Sequence, residues 1–232
     1  SCGICHEPAK GFTDGFVRSV GHAGDVLSRN ALTLTNVGRR EALLWTGVEG
    51  LSLAEQLLIP LLGDSPPEMG FGGREHELLD RLSKKPLYPA KFAASFPQDP
   101  QPITLDNLAQ AIARFEATLI SKDTAYDRYL SGEPGALSEA AERGRSLFFS
   151  APANCFRCHS GPDFDQPADE DGELIARHGR SNIGLYNVDG EGAYPEAEQG
   201  LIQDTGRAED MGVFRTPTLR NVALTGPYTH DG

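Results

Sequence analysis

Apolar residues along this chain recur at helical spacing in a few windows, separated by long stretches with no periodicity. Leu105, Leu108, Ile112, Phe115 and Leu119 follow one another at intervals of three and four. That spacing predicts one apolar face of an amphipathic helix, with core packing as the ordinary role of all five side chains. Thr104 stands where an N-cap hydroxyl belongs. A second helix is predicted over residues 137–149, with Ser138 as its cap. A third covers 51–62 and stops at Gly63, ahead of Pro66 and Pro67. A short fourth covers 75–83.

Between these windows the pattern changes character. Residues 121–135 carry Gly132 and Pro134 and read as a hinge between two lobes. Residues 160–212 are rich in Gly, Asp and Glu with little helical period. So long an irregular stretch in a compact protein is usually functional, here lining a cofactor edge or facing a partner. The expected fold is mainly α with long irregular connections.

Charge narrows the partners. Asp and Glu outnumber Lys and Arg by 33 to 21, for a net charge of −12. Such a surface repels a polyanion, so no nucleic-acid partner is expected. It would attract a basic electron-carrier protein, although acidity also serves plain solubility. No run of 18 apolar residues occurs, so no membrane span is expected.

Candidate chemistry lies in the cysteines. All four fall in two copies of one pattern, Cys2-Gly3-Ile4-Cys5-His6 and Cys155-Phe156-Arg157-Cys158-His159. Cys-x-x-Cys-His is the attachment motif of a c-type haem: the thiols add to porphyrin vinyl groups and the histidine ligates iron. Three other chemistries compete. A Cys₄ zinc site could use both pairs, but the copies begin 153 positions apart, and zinc leaves both histidines unexplained. A thioredoxin-like redox pair needs a strand–turn–helix context, which is missing around Cys2. Two disulfides within Cys-x-x-Cys would close tiny strained loops. The haem reading implies two cytochrome c-like haem domains, over residues 1–130 and 136–232. Because haem attachment in bacteria takes place outside the cytoplasmic membrane, a periplasmic location and a signal peptide ahead of Ser1 are expected. The abrupt ends of the chain, one residue before Cys2 and at Gly232, read as cut, the second domain being truncated.

Two haems allow electron transfer alone, or catalysis at an iron with an open position. His6 and His159 are the proximal ligand candidates. His22, His76, His178, His230, Met69 and Met211 are the remaining side chains able to ligate iron, Met211 being an ordinary loop residue by its context. Peroxide cleavage also needs an acid–base group. Glu68, held between Pro66-Pro67 and Met69-Gly70, is the candidate, although most glutamates are solvated surface. Trp45 is the single tryptophan; a lone Trp is most often core, and between two redox centres it could relay holes.

Several stretches together resemble the bacterial di-haem cytochrome c peroxidase and MauG family. They are Leu44-Trp45-Thr46-Gly47, Ser52-Leu53-Ala54-Glu55-Gln56, Pro67-Glu68-Met69-Gly70, Ile103-Thr104-Leu105-Asp106-Asn107 and Ala125-Tyr126-Asp127-Arg128-Tyr129. The closing run from Phe214 through Thr225, continued by Pro227-Tyr228-Thr229-His230-Asp231-Gly232, is very close to the family pattern. The likeness spans nearly the whole chain. Residues 57–63 and 182–195 look like the MbnH branch, whose members oxidise tryptophan on a partner protein. MauG, which matures a protein-derived quinone, is more distant.

The resemblance implies roles. His6 would ligate the N-terminal, peroxidatic haem and His159 the electron-transfer haem. Trp45 falls at the inter-haem tryptophan, Glu68 at the distal acid–base glutamate, and His22 at a removable distal iron ligand. Asn30, Thr225 and Pro227 match a calcium site of one side-chain oxygen, two backbone carbonyls and waters, the hard oxygen set calcium prefers. His230 matches a histidine near the second haem, whose distal ligand lies beyond Gly232 in the family. The implied activity is reduction of hydrogen peroxide at the first haem with electrons relayed from the second. The donor would be a small cytochrome c or cupredoxin, and the assembly a homodimer. Two alternatives stand beside it: MauG- or MbnH-like oxidation of a partner protein, and a non-enzymatic electron carrier.

Overall fold

A computed structural model describes residues 1–176 and 178–232. Among these the helices are α1 (Leu53–Leu62), α2 (Glu75–Ser83), α3 (Leu87–Ser95), α4 (Leu105–Glu116), α5 (Ala125–Leu130), α6 (Glu139–Phe148) and α7 (Ile202–Thr205). Strands are two residues long: β1 (Ala42–Leu43), β2 (Val48–Glu49), β3 (Arg180–Ser181) and β4 (Phe214–Arg215). β3 pairs antiparallel with β4, with Arg180 opposite Arg215. The chain divides into two compact units: unit 1 is Ser1–Arg39, Glu49–Thr118 and Thr225–Gly232, and unit 2 is Arg40–Val48 and Leu119–Leu224. No described helix is long and apolar enough to cross a membrane.

Unit 1 is built on α1 packed against α4. Ser52 starts α1 with a reciprocal cap: its hydroxyl accepts from Glu55 N–H at 3.2 Å, and Glu55 Oε2 accepts from Ser52 N–H at 2.8 Å. α1 buries Leu57 and Leu61, one turn apart. Thr104 caps α4, its Oγ1 accepting from Asn107 N–H at 3.1 Å. The buried stripe of α4 is rotated from the expected one. Ala109 and Glu116 are buried and Leu105 and Ile112 half-buried, an i, i+4, i+7, i+11 series, whereas Phe115 is 59% exposed and Leu119 lies past the helix end. Asn107 is also buried, because its amide donates to Asp99 Oδ2 at 2.7 Å and to the Pro102 carbonyl at 3.0 Å.

Unit 2 corrects the hinge. Residues 121–135 contain α5, capped by Thr124 and Asp127 in a second reciprocal pair. Asp127 is also held by Arg220 Nη2 at 2.7 Å, while Arg220 Nε meets Asp163 Oδ1 at 3.0 Å. Tyr126 packs on Phe164 with ring centres 5.1 Å apart, and Phe148 lies edge-on to Phe164. This segment therefore lies within unit 2, tied to it by side-chain contacts with none of its residues buried. α3 was hidden by its prolines: Pro86 and Pro89 sit in the first turn, where no intrahelical N–H is required. α6 begins at Glu139, one residue after its Ser138 cap.

Candidate functional site

The two cysteine motifs fold alike. Residues Cys2–Ile4 and Cys155–Arg157 each form a 3₁₀ turn. In each, the histidine N–H donates to the carbonyl of the first cysteine at 2.9 Å. The chain then bends back through an isolated antiparallel bridge, Glu7 with Thr13 and Ser160 with Gln166. At the bend Phe12 (φ 64°) and Phe164 (φ 54°) adopt the left-handed conformation. His6 Nδ1 lies 3.0 Å from the Phe12 carbonyl and His159 Nδ1 2.8 Å from the Phe164 carbonyl. A carbonyl can only accept, so each Nδ1 carries the proton and each Nε2 the lone pair. That second bond is how a metal-ligating histidine is oriented. The likeness runs further, since Val20 bridges Val26 and Ala168 bridges Leu174. The sequence shows only the cysteine motif as a repeat; the hydrogen-bonded hairpins behind it carry unrelated side chains. All four thiols are free, so no disulfide competes.

In unit 1 the first motif is faced by Glu68. α1 ends with carbonyls that lack helical partners, and the following loop supplies them. Met69 N–H donates to Pro60 O at 3.0 Å and Phe71 N–H to Leu61 O at 3.1 Å. Glu68 is thus pinned to the end of a capped helix. His22 joins it: His22 N–H donates to the Glu68 carbonyl at 2.8 Å. A methyl on Gly70 would fall 2.1 Å from His22 Cε1, and one on Gly21 would fall 2.3 Å from the Pro67 carbonyl oxygen. Burial pushes the Glu68 carboxyl above the ordinary glutamate value. Burial also raises the Cys5 thiol, helped by the charges of Asp14 and Glu68, so the Glu68 carboxyl lies close to the motif. Burial likewise lowers the pKa of His6 and keeps its ring neutral.

Unit 1 also holds Asn30, Thr225, Pro227 and His230. Asn30 N–H donates to His230 O at 2.9 Å, and Asn30 Nδ2 donates to Phe16 O at 2.8 Å. His230, assigned from the resemblance to the surroundings of the second haem, is joined to unit 1 by this bond. It is buried, which lowers its pKa to about 4.

Trp45 belongs to unit 2 and is buried. Its carbonyl accepts from Arg215 N–H at 2.8 Å, and the carbonyls on either side are taken by arginine side chains: Leu44 O by Arg215 Nε at 3.0 Å, Gly47 O by Arg180 Nε at 3.0 Å. These arginines went unassigned in the sequence. Arg215 lay inside the family-like closing run, but nothing local marked it as buried.

The donor set fits a c-type haem at each motif: two free thiols, an imidazole oriented by its Nδ1 bond and a backbone already bent around it. Zinc finds less support, because among the described residues no three His, Cys, Asp or Glu side chains gather as a metal site.

Known proteins agree with this geometry. The family model for di-haem cytochrome c peroxidase matches residues 1–135. The cytochrome c551 peroxidase of Nitrosomonas europaea is 32% identical across the full chain, which spans 63% of that relative. The methylamine utilization protein MauG of Methylophilus methylotrophus is 31% identical, with 62% of its length covered. The crystal structure of a MauG-like protein associated with microbial copper homeostasis superposes with a TM-score of 0.91 at 39% identity, the chain covering 66% of it. The diheme peroxidase BthA of Burkholderia thailandensis shares the fold, with a TM-score of 0.71. On the match over residues 1–135, together with the paired cysteine motifs, the chain belongs to the di-haem cytochrome c peroxidase family.

Proposed function

We propose that this chain is the two-haem part of a periplasmic peroxidase that consumes hydrogen peroxide in unit 1 and draws electrons through unit 2. His6 and His159 ligate the irons, and Cys2, Cys5, Cys155 and Cys158 tether the porphyrins. The haems, when bound, supply the metal site for peroxide and the storage of electrons. Every other task falls to the polypeptide. Glu68 takes a proton from one peroxide oxygen and returns it to the departing one, which a single carboxyl can do if it is held beside the site and not drained by solvent. His22, on the loop hydrogen-bonded to Glu68, is the removable ligand. Asn30 with the Thr225 and Pro227 carbonyls holds a calcium ion. Trp45, clamped through its backbone, passes electrons toward unit 1. The donor is a small cytochrome c or cupredoxin, attracted by the net charge of −12.

The observation that carries this reading is the half-buried Glu68 carboxyl beside the Cys5–His6 motif, held by the end of α1. Its test is stopped-flow mixing of the reduced holoprotein with hydrogen peroxide. Glu68→Gln should slow peroxide cleavage by about 10²-fold with haem content unchanged. A rate close to wild type removes Glu68 from the chemistry, and no reaction in wild type leaves an electron carrier.

The MauG-like structure at 39% identity favours a second reading. In it the same site oxidises a residue on a partner protein. The two differ in the final electron source, so steady turnover with a reduced cytochrome separates them.

A further inference from the structure

Four segments of unit 2 converge beside the second motif. Phe164 orients His159 through its carbonyl, and the next residue, Asp165, receives Arg40 Nε at 3.2 Å. Gly179 N–H donates to the Asp165 carbonyl and Thr216 N–H to the Gly179 carbonyl, both at 2.8 Å, which brings β4 alongside. Arg215, on β4, reaches back to the Leu44 carbonyl with Nε.

The charges here do not balance. The Arg40 side chain is 6% exposed and Arg215 is 4% exposed. Burial and the neighbouring Arg40 charge lower the Arg215 pKa to about 9, so the two guanidiniums are close. Asp165 supplies one negative charge against two positive ones. Arg40 Nη2 and Arg215 Nη1 are both buried with no hydrogen-bond partner among the described residues, and so is the Thr46 hydroxyl. A buried uncompensated cation is costly, and so is a buried donor with nothing to donate to. Two guanidiniums that each leave an N–H open make a fork for a carboxylate.

We propose that Arg40 and Arg215 form the anchor for the propionate carboxylates of the haem tethered at Cys155 and Cys158. The proposal rests on the haem reading of the second motif. A c-type haem is fixed at its vinyl edge by the cysteines and at its iron by His159, so its propionates are the carboxylates that remain. Neutralising them removes the cost of the buried arginines, and the arginine charges hold up the reduction potential of that iron. The same contact links the haem edge to the Leu44–Gly47 backbone, and hence to the placement of Trp45.

The test compares wild type, R40Q, R215Q and R215K as holoproteins. Resonance Raman spectroscopy reads the propionate bending mode, and spectroelectrochemistry reads the midpoint potential of each haem between pH 5 and pH 8. R40Q and R215Q should shift the bending mode to lower frequency. They should also lower the potential of the second haem and make it more pH-dependent, as propionates regain ordinary acidity. R215K keeps the charge and loses the fork; it should move the bending mode while holding the potential near wild type. R215K also serves if a glutamine variant fails to fold. An unmoved bending mode and potential in folded variants overturns the proposal, as does a shift confined to the first haem. Wild type lacking haem at Cys155 and Cys158 overturns instead the reading beneath it.

Discussion

The neighbourhoods of His6 and His159 share a backbone and differ in charge. Both begin with the same 3₁₀ turn, and both orient the imidazole on the carbonyl of a left-handed phenylalanine. Around His6 the charged groups are acids: Asp14, which is buried, and Glu68, which is half-buried on a loop pinned to α1 and bonded to His22. Around His159 two arginines, Arg40 and Arg215, are buried beside the single carboxylate of Asp165, with Arg220 nearby binding Asp127 and Asp163. The attachment chemistry is duplicated; the electrostatics are not. A neutral or negative carboxyl beside an iron site can move protons. Fixed cations cannot, but they can set a potential. The difference is consistent with the proposed reactive role of unit 1 and electron-supplying role of unit 2.

The contrast can be broken at several points. The largest effect is in pH. A carboxyl acts as a base only when ionised, and burial raises the Glu68 pKa above 4.5. The peroxide rate should therefore fall about tenfold per pH unit below that raised value, and E68Q should erase the limb. Stability runs the other way: folded Glu68 holds its proton more tightly than unfolded, so unfolding free energy declines as pH rises from 4.5 to the raised value. An unchanged pH profile in E68Q would end the contrast. Next comes Arg220→Met, which removes the cation shared by Asp127 and Asp163. It should cost about 3 kcal/mol in denaturant unfolding, the lower end for breaking a buried pair. A loss under about 1 kcal/mol would mean the ion pair behaves as a surface one.

Gly70→Ala probes unit 1 alone. Gly70 has φ 67°, and a methyl there would collide with His22. The change should cost about 1–3 kcal/mol and alter the environment of the first haem only. An altered spectrum of the second haem would contradict the division of labour. The smallest effect is Thr104→Ala, worth about 1 kcal/mol as a lost helix cap and leaving both spectra unchanged.

Local signals were legible where chemistry acts locally. Thr104 and Ser138 cap the helices they precede, and the Cys-x-x-Cys-His turns form as spaced. Glu68 could be picked out because prolines and a glycine flank it. What failed was anything that depends on a partner distant in sequence. α4 packs on α1, so Ala109 and Glu116 are buried while Phe115 is exposed. Residues 40–48 join unit 2 and 225–232 join unit 1 through bonds to segments far along the chain, such as Arg215 N–H to Trp45 O and Asn30 N–H to His230 O. Arg40 and Arg215 carry no local sign of burial; only the fold buries them.

The account rests on one covalently held haem in each unit. Intact-mass spectrometry of the chain, expressed with a c-type maturation system, tests it most directly when run beside C2S/C5S and C155S/C158S. Two haem adducts in wild type and one in each variant are predicted; a wild-type chain carrying none, or a variant still carrying two, would contradict it.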